Sequence, residues 1–127
     1  MNLLSNMVSI IKVASNTKQL QAVIQNSKIC VNVLSTLYKL GYIRGFIVKD
    51  KKTVVVLLKY INNKPVIKNI GVISTPGRRM FVKHKNLMEL LKKKDSGFLI
   101  LSTNKGILTD EESKIFNIGG EILIKVS

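Results

Sequence analysis

Tyr42-Ile43-Arg44-Gly45-Phe46-Ile47-Val48-Lys49-Asp50-Lys51-Lys52-Thr53-Val54-Val55-Val56-Leu57-Leu58-Lys59-Tyr60 is two β-forming runs joined by a charged turn. Tyr42 to Val48 alternates and is rich in strand-formers. Asp50-Lys51-Lys52 makes the turn. Thr53 to Tyr60 is a nearly continuous apolar strand. This hairpin anchors the reading of everything before it. Upstream, Ser27 is a helix N-cap; Ile29, Val33, Leu37 and Leu40 form a stripe, and Gly41 stops the helix. Lys39 lies in its last turn, well placed for the helix dipole. A short strand is expected near Gln21-Ala22-Val23-Ile24. Before it, Leu4, Met7, Val8 and Ile11 recur at helical spacing. The first part therefore reads α-β-α-β-β.

Downstream, Asn62-Asn63-Lys64-Pro65 breaks the pattern and marks a boundary. The sequence is read as two domains, an N-terminal α/β domain over 1–64 and a mainly β domain over 65–127. A strand is expected from Val66 to Ile73. Thr75-Pro76-Gly77 is a turn with Pro76 preset for its second position and Gly77 supplying a positive φ at the third. Arg79 to Lys83 reads as a strand, Leu87 to Lys93 as a short helix ending in Lys92-Lys93-Lys94. Gly97 to Leu101 is an apolar strand running into the loop Ser102-Thr103-Asn104-Lys105-Gly106. Thr109-Asp110-Glu111-Glu112 is a capping box opening a helix to Phe116. Gly119-Gly120 breaks the chain before a closing strand from Glu121 to Val126. The fold class is α+β, the second part mostly β with short helices.

The chain of 127 residues carries 21 Lys plus Arg against 7 Asp plus Glu, a net charge of +14, and is 46% hydrophobic. A real core is expected, and so is a polyanionic partner to relieve the self-repulsion. Lysine dominates; the arginines are Arg44, Arg78 and Arg79. That favours phosphate contacts and a shaped RNA over bidentate base reading. Cys30 is the only cysteine and His84 the only histidine. No internal disulfide, cysteine-based zinc cluster or two-histidine metal site can be built. Cys30 reads as a small buried apolar residue on a helix. His84 sits between Lys83 and Lys85, in a solvated or phosphate-facing stretch. The acids near Asp110 read as helix caps, so neither catalysis nor a cofactor or metal is expected. No apolar run reaches membrane-spanning length. No leader is read in the first residues, so the protein is expected to be made in the compartment where it works.

The loop Ser102-Thr103-Asn104-Lys105-Gly106 gathers two hydroxyls, an amide, an ammonium and a glycine at the end of an apolar strand. Hydroxyls can meet ribose and base edges, Asn104 can pair with adenine, Lys105 can meet phosphate, and Gly106 permits close approach. An ordinary polar loop leading to a helix is the plainer reading. Its neighbours change that balance. Ser-Thr-Asn-Lys-Gly, then Ile107-Leu108-Thr109-Asp110, then Gly119-Gly120-Glu121 and an apolar strand, closely resembles the S-eight family of small-subunit ribosomal proteins. Ile73-Ser74-Thr75-Pro76-Gly77-Arg78-Arg79-Met80-Phe81 resembles the family's Ser-Lys/Arg-Pro-Gly-x-Arg-x-Tyr stretch. Leu40-Gly41-Tyr42-Ile43 and the hairpin ending Leu57-Leu58-Lys59-Tyr60 give a third match. They stand in family order along nearly the whole chain. The resemblance implies a primary rRNA-binding protein that docks on a helix of the central domain of small-subunit rRNA, beside other small-subunit proteins. It implies RNA contacts from Ser102, Thr103, Lys105 and Gly106, helped by the Gly120-Glu121 turn; Asn104 keeps polar capacity between them and joins the candidate set. Arg78, Arg79 and Phe81, with Lys83 and Lys85 beyond them, complete the candidate set. Asn104 stands where the family often has Ser, Phe81 where it often has Tyr. The first helix, at Asn6 to Val13, lacks the family's Asp and Arg.

Two rival classes make demands that the sequence does not meet. A membrane-surface protein needs a lysine-dominated amphipathic helix, and neither long helix has one. A nucleic-acid-processing enzyme needs clustered carboxylates for metal, which the sequence does not offer. No membrane and no small-molecule substrate are expected. Heavy use of Ile, Asn and Lys with little Arg and no Trp fits an AT-rich genome. The expected home is a mitochondrial ribosome, with the gene in the organelle; a plastid or an AT-rich bacterium is the alternative.

Overall fold

The computed structural model describes residues 3–93 and 97–127, and within 84–93 the side chains of 84–87 and 89. The chain forms two compact units, Met1–Asn69 and Ile70–Ser127.

In the first unit, α1 (Leu3–Asn16) buries Leu4, Met7, Val8, Ile11 and Ala14, the expected stripe extended by one turn. Strand β1 (Gln21–Gln25) points Ala22 and Ile24 inward. Ser27 caps α2 (Lys28–Lys39), its hydroxyl accepting from Cys30 N at 3.2 Å. Helix α2 buries Cys30, Val33, Leu34 and Leu37. That corrects half of the expected stripe: Ile29 and Leu40 are on the exposed side, because Leu40 is already the C-cap and the inward face runs through Cys30 and Leu34. Gly41, at φ +80°, takes the left-handed position after the helix.

The hairpin is β2 (Ile43–Val48) and β3 (Thr53–Leu58). Asp50 Oδ1 closes its turn, accepting from Lys52 N at 2.7 Å and Thr53 N at 2.8 Å. The antiparallel sheet has the order β1-β3-β2. The central position explains the unbroken apolar run, since Val54, Val55 and Val56 are all buried. Asn62-Asn63 is a tight two-residue turn, both at positive φ (52° and 63°), pairing β4 (Tyr60–Ile61) with β5 (Lys64–Pro65).

In the second unit, the order is β6 (Ile70–Val72), β7 (Phe81–Val82), α3 (His84–Lys93), β8 (Phe98–Thr103), β9 (Gly106–Thr109), α4 (Asp110–Phe116), β10 (Gly120–Val126). Strand β10 pairs β6 and β7 on one side and β8 on the other; β8 pairs β9. Every pairing is antiparallel. Leu87 of α3 packs with Leu99, Leu101 and Ile122, against which Ile73 and Val82 lie. Burying a side chain of that size fully is worth roughly 1.5–3 kcal/mol.

The capping box is formed in both directions: Thr109 Oγ1 accepts from Glu112 N, and Glu112 Oε1 accepts from Thr109 N, each at 3.2 Å. The strands expected at 66–73 and 79–83 are short, Ile70–Val72 and Phe81–Val82. Thr75 and Arg78 bond each other in both directions at 3.1 and 3.0 Å. That turn closes without a positive φ at Gly77, contrary to expectation. The Lys92-Lys93-Lys94 run lies outside the residues whose side chains are described.

Candidate nucleic-acid interface

The expected loop at 102–106 is a β-hairpin. Ser102 and Thr103 end β8, Gly106 begins β9, and Asn104-Lys105 are the turn. Asn104 and Lys105 keep negative φ, while Gly106 takes φ +101°. That is the pattern of a tight turn whose following residue must be left-handed, which glycine adopts at least cost. The sequence hides β9 because Ile107-Leu108-Thr109 runs straight into the capping box.

Thr103 serves the turn itself. Its hydroxyl donates to Gly106 O at 2.9 Å and accepts from Lys105 N at 3.1 Å. Ser102 Oγ makes no hydrogen bond among the described residues, and its side chain is half-buried. Asn104 and Lys105 are exposed at the tip. The Lys105 ammonium lies 4.6 Å from the Phe116 ring centre, a cation–π contact that steadies a long side chain.

The sheet register brings separated residues together. Phe81 pairs with Glu121, Glu121 with Ser102, and Ser102 with Ile107. Residues directly opposite in a ladder share a face. Phe81, Glu121, Ser102 and Ile107 therefore form one row across β7, β10, β8 and β9. Phe81 is 72% exposed, unusual for a phenylalanine. Arg79 reaches Glu121 at 3.1 Å, joining the row through an ion pair that is 52% exposed on the arginine side.

Gly119 and Gly120 hold the row closed. A Cβ on Gly119 would stand 2.1 Å from Val82 O; on Gly120, 2.2 Å from Ser102 O and 3.0 Å from Thr103 Cγ2. Only glycine lets β10 lie this close to its neighbours. Arg78 is exposed in the Thr75–Arg78 turn, Lys83 is exposed between β7 and α3, and Lys85 is exposed in the first turn of α3. Arg78, Lys83 and Lys85 are placed around the row by sequence continuity with β7, outside the ladder. Ile107 and Phe116 were missed from the sequence. Alternation through Gly106-Ile107-Leu108 could have shown Ile107; the Phe116 contact had no sequence signal.

Among the described residues no group of three or more His, Cys, Asp or Glu could hold a metal ion, and no helix is long and apolar enough to cross a membrane.

The family model for Ribosomal protein S8 matches residues 2–127. The chain is 68% identical over 127 residues to the small ribosomal subunit protein uS8m of Acanthamoeba castellanii, covering 100% of each chain. It is 40% identical to the small ribosomal subunit protein uS8 of Gluconacetobacter diazotrophicus, covering 97% of this chain and 95% of that one. Against uS8 of Malacoplasma penetrans it is 37% identical, covering 99% and 98%. The ordered motifs, the antiparallel sheets and the full-length matches agree: this chain belongs to the S8 family of small-subunit ribosomal proteins.

Proposed function

We propose that this chain is a primary rRNA-binding protein of a mitochondrial small subunit, docking on a helix of the central domain of the rRNA and supporting assembly and translation. The observation that carries the reading is the row Phe81, Glu121, Ser102 and Ile107, flanked by the exposed hairpin tip at Asn104-Lys105. It offers RNA a stacking ring, a free hydroxyl, a carboxylate and nearby cations on one face. A carboxylate beside a polyanion is unfavourable unless neutralised; Arg79 does this for Glu121. Glu121 is then able to accept from a base amino group, while Lys83, Lys85, Lys105 and Arg78 meet phosphates. Thr103 and Gly106 contribute by fixing the hairpin rather than by a free side-chain hydroxyl. Gly120 contributes its backbone.

The mitochondrial placement is supported by the 68% identity to uS8m and by the Ile-, Asn- and Lys-rich composition. Residues from about 65 onward are proposed to hold most of the RNA affinity, the earlier part orienting the chain in the particle. The chain turns over no substrate in this reading; its work is binding.

The test is titration of the full chain with a central-domain helix of mitochondrial small-subunit rRNA and with a scrambled helix of equal length. Specific protein–RNA recognition predicts a large excess of affinity for the first that persists as salt rises. Equal affinity for both at every salt concentration overturns the reading, since pure charge attraction does not discriminate.

A further inference from the structure

Sheets expose unpaired backbone at their edge strands, and native proteins blunt those edges with charge, proline or a bulge. The three-stranded sheet of the first unit has two edges, β1 and β2. Strand β2 is blunted: it carries Arg44 and a register shift between Ile43 and Gly45. Strand β1, Gln21-Ala22-Val23-Ile24-Gln25, has no charge, no proline and no shift in its pairing with β3. Leu58 N donates to Leu20 O and Asn26 N to Lys52 O. Antiparallel bonding alternates along a strand. Ala22 and Ile24 therefore bond β3, and the N–H and C=O groups of Gln21, Val23 and Gln25 point away from it.

Beside this open edge runs a groove of about 560 Å³, with Ile10, Val13 and Ala14 of α1 on one wall and Ala22 and Val23 on the other. Its remaining lining side chains are serine and glutamine. Val13 is 60% exposed, Val23 56% and, next to them, Leu20 70%. Among the described residues no charged side chain lines the groove, although the chain carries a net charge of +14. A surface built for a phosphate backbone would carry cations, so RNA is not what it fits. A second copy is disfavoured by the mutual repulsion of two such charges.

We propose that the free edge of β1 receives an extended, largely uncharged segment of another small-subunit protein, which adds a strand to this sheet and covers Ile10, Val13, Leu20 and Val23. Strand addition takes its affinity from main-chain bonds and its selectivity from alternate side chains. The open groups of Gln21, Val23 and Gln25 supply the first, and the groove along α1 the second. The inference rests on membership of the S8 family and is independent of the RNA interface in the second unit.

The experiment follows amide exchange at Gln21, Val23 and Gln25 in three states: the free chain, the chain on its rRNA helix, and the assembled small subunit. Exchange is expected to slow by roughly tenfold or more only in the subunit. Benzoylphenylalanine replacing Val23 is expected to photo-crosslink, in the subunit, to one defined stretch of another small-subunit protein. Slowing by RNA alone, unchanged exchange in the subunit, or a crosslink to rRNA or to a second copy each overturns the proposal. Val23→Lys is expected to lower incorporation into subunits by roughly tenfold, while Ile47→Lys on the blunted edge does not. Equal losses from the two also overturn it. If Val23→Lys does not fold, the exchange and crosslinking outcomes decide alone.

Discussion

Ser102→Ala and Thr103→Ala are expected to fail in different ways, although the residues are adjacent. Ser102 Oγ has no partner among the described residues, and it stands in the row with Phe81 and Glu121. Removing it should leave stability within about 0.5 kcal/mol. An RNA group deprived of that hydroxyl inside the interface is left unsatisfied, at roughly 1–3 kcal/mol. At about 1.4 kcal/mol per decade this is roughly a five- to hundredfold loss of cognate affinity. No charge is lost, so the salt slope should not change. Thr103→Ala instead removes two bonds within the hairpin, to Gly106 O and from Lys105 N. Each is worth roughly 0.5–1.5 kcal/mol net, and the exposed turn places them at the low end. Thr103→Ala should therefore loosen the hairpin and weaken RNA binding together, and Thr103→Ser should restore both. The assay pairs amide exchange of β8 and β9 with binding to cognate and scrambled RNA across a salt series. The reasoning is refuted if Ser102→Ala leaves cognate affinity intact, or weakens both RNAs equally. It is also refuted if Thr103→Ala leaves hairpin exchange unchanged.

Gly119→Ala should destabilise the second unit by roughly 1–3 kcal/mol, measured by denaturant unfolding, because backbone must move to admit the methyl; an unchanged midpoint would contradict the close approach at Val82 O. Replacing Lys92, Lys93 and Lys94 by Gln should lower affinity for cognate and scrambled RNA alike and shrink the salt slope by up to about one unit per lost phosphate contact; a loss confined to cognate RNA would assign these lysines a selective role instead. Burial raises the Cys30 thiol above its ordinary 9.0, against the lowering hydrogen bond from Ser27. Burial also raises the Tyr60 phenol above 10.0. The folded state thus holds these protons more tightly, so their contribution is whole below about pH 9 and is lost as pH rises through the folded values. Unfolding of the first unit followed from neutral to alkaline pH should show stability falling there, and Cys30→Ala should flatten part of the fall; stability rising over that range would contradict the direction.

Elements with strong local signals were legible in the sequence. The stripe of α1, the Ser27 cap, the Asp50 turn and the Thr109–Glu112 box each rest on spacing or on a short-range bond. The α2 stripe was half misread because Ile29 and Leu40 are apolar yet face outward, and periodicity alone does not say which of two apolar neighbours is buried. Strand β9 was missed because four residues shared with a cap signal carry little alternation. The candidate residues were named from motif resemblance, but their arrangement was not visible. Phe81, Ser102 and Glu121 meet through ladder register, a non-local property that no window of sequence contains. For the same reason the role of Thr103 inside its own turn could not be separated from that of Ser102.

The central place of β10 has a consequence for how the chain is made. Strand β10 is the partner of β6, β7 and β8. Until residues 120–126 have been synthesised, β8–β9 is the one pair of named strands among the described residues of the second unit that can form, and the apolar strands β6 and β7 wait without their neighbour. The first unit's three-stranded sheet needs nothing beyond Leu58. Synthesis runs from the N-terminus, so the two units mature in order: the first can close while the second is still emerging, and the second must remain open until its last strand arrives. A nascent second unit therefore depends on rapid closure, or on chaperones, to keep Phe98 to Leu101 from pairing elsewhere.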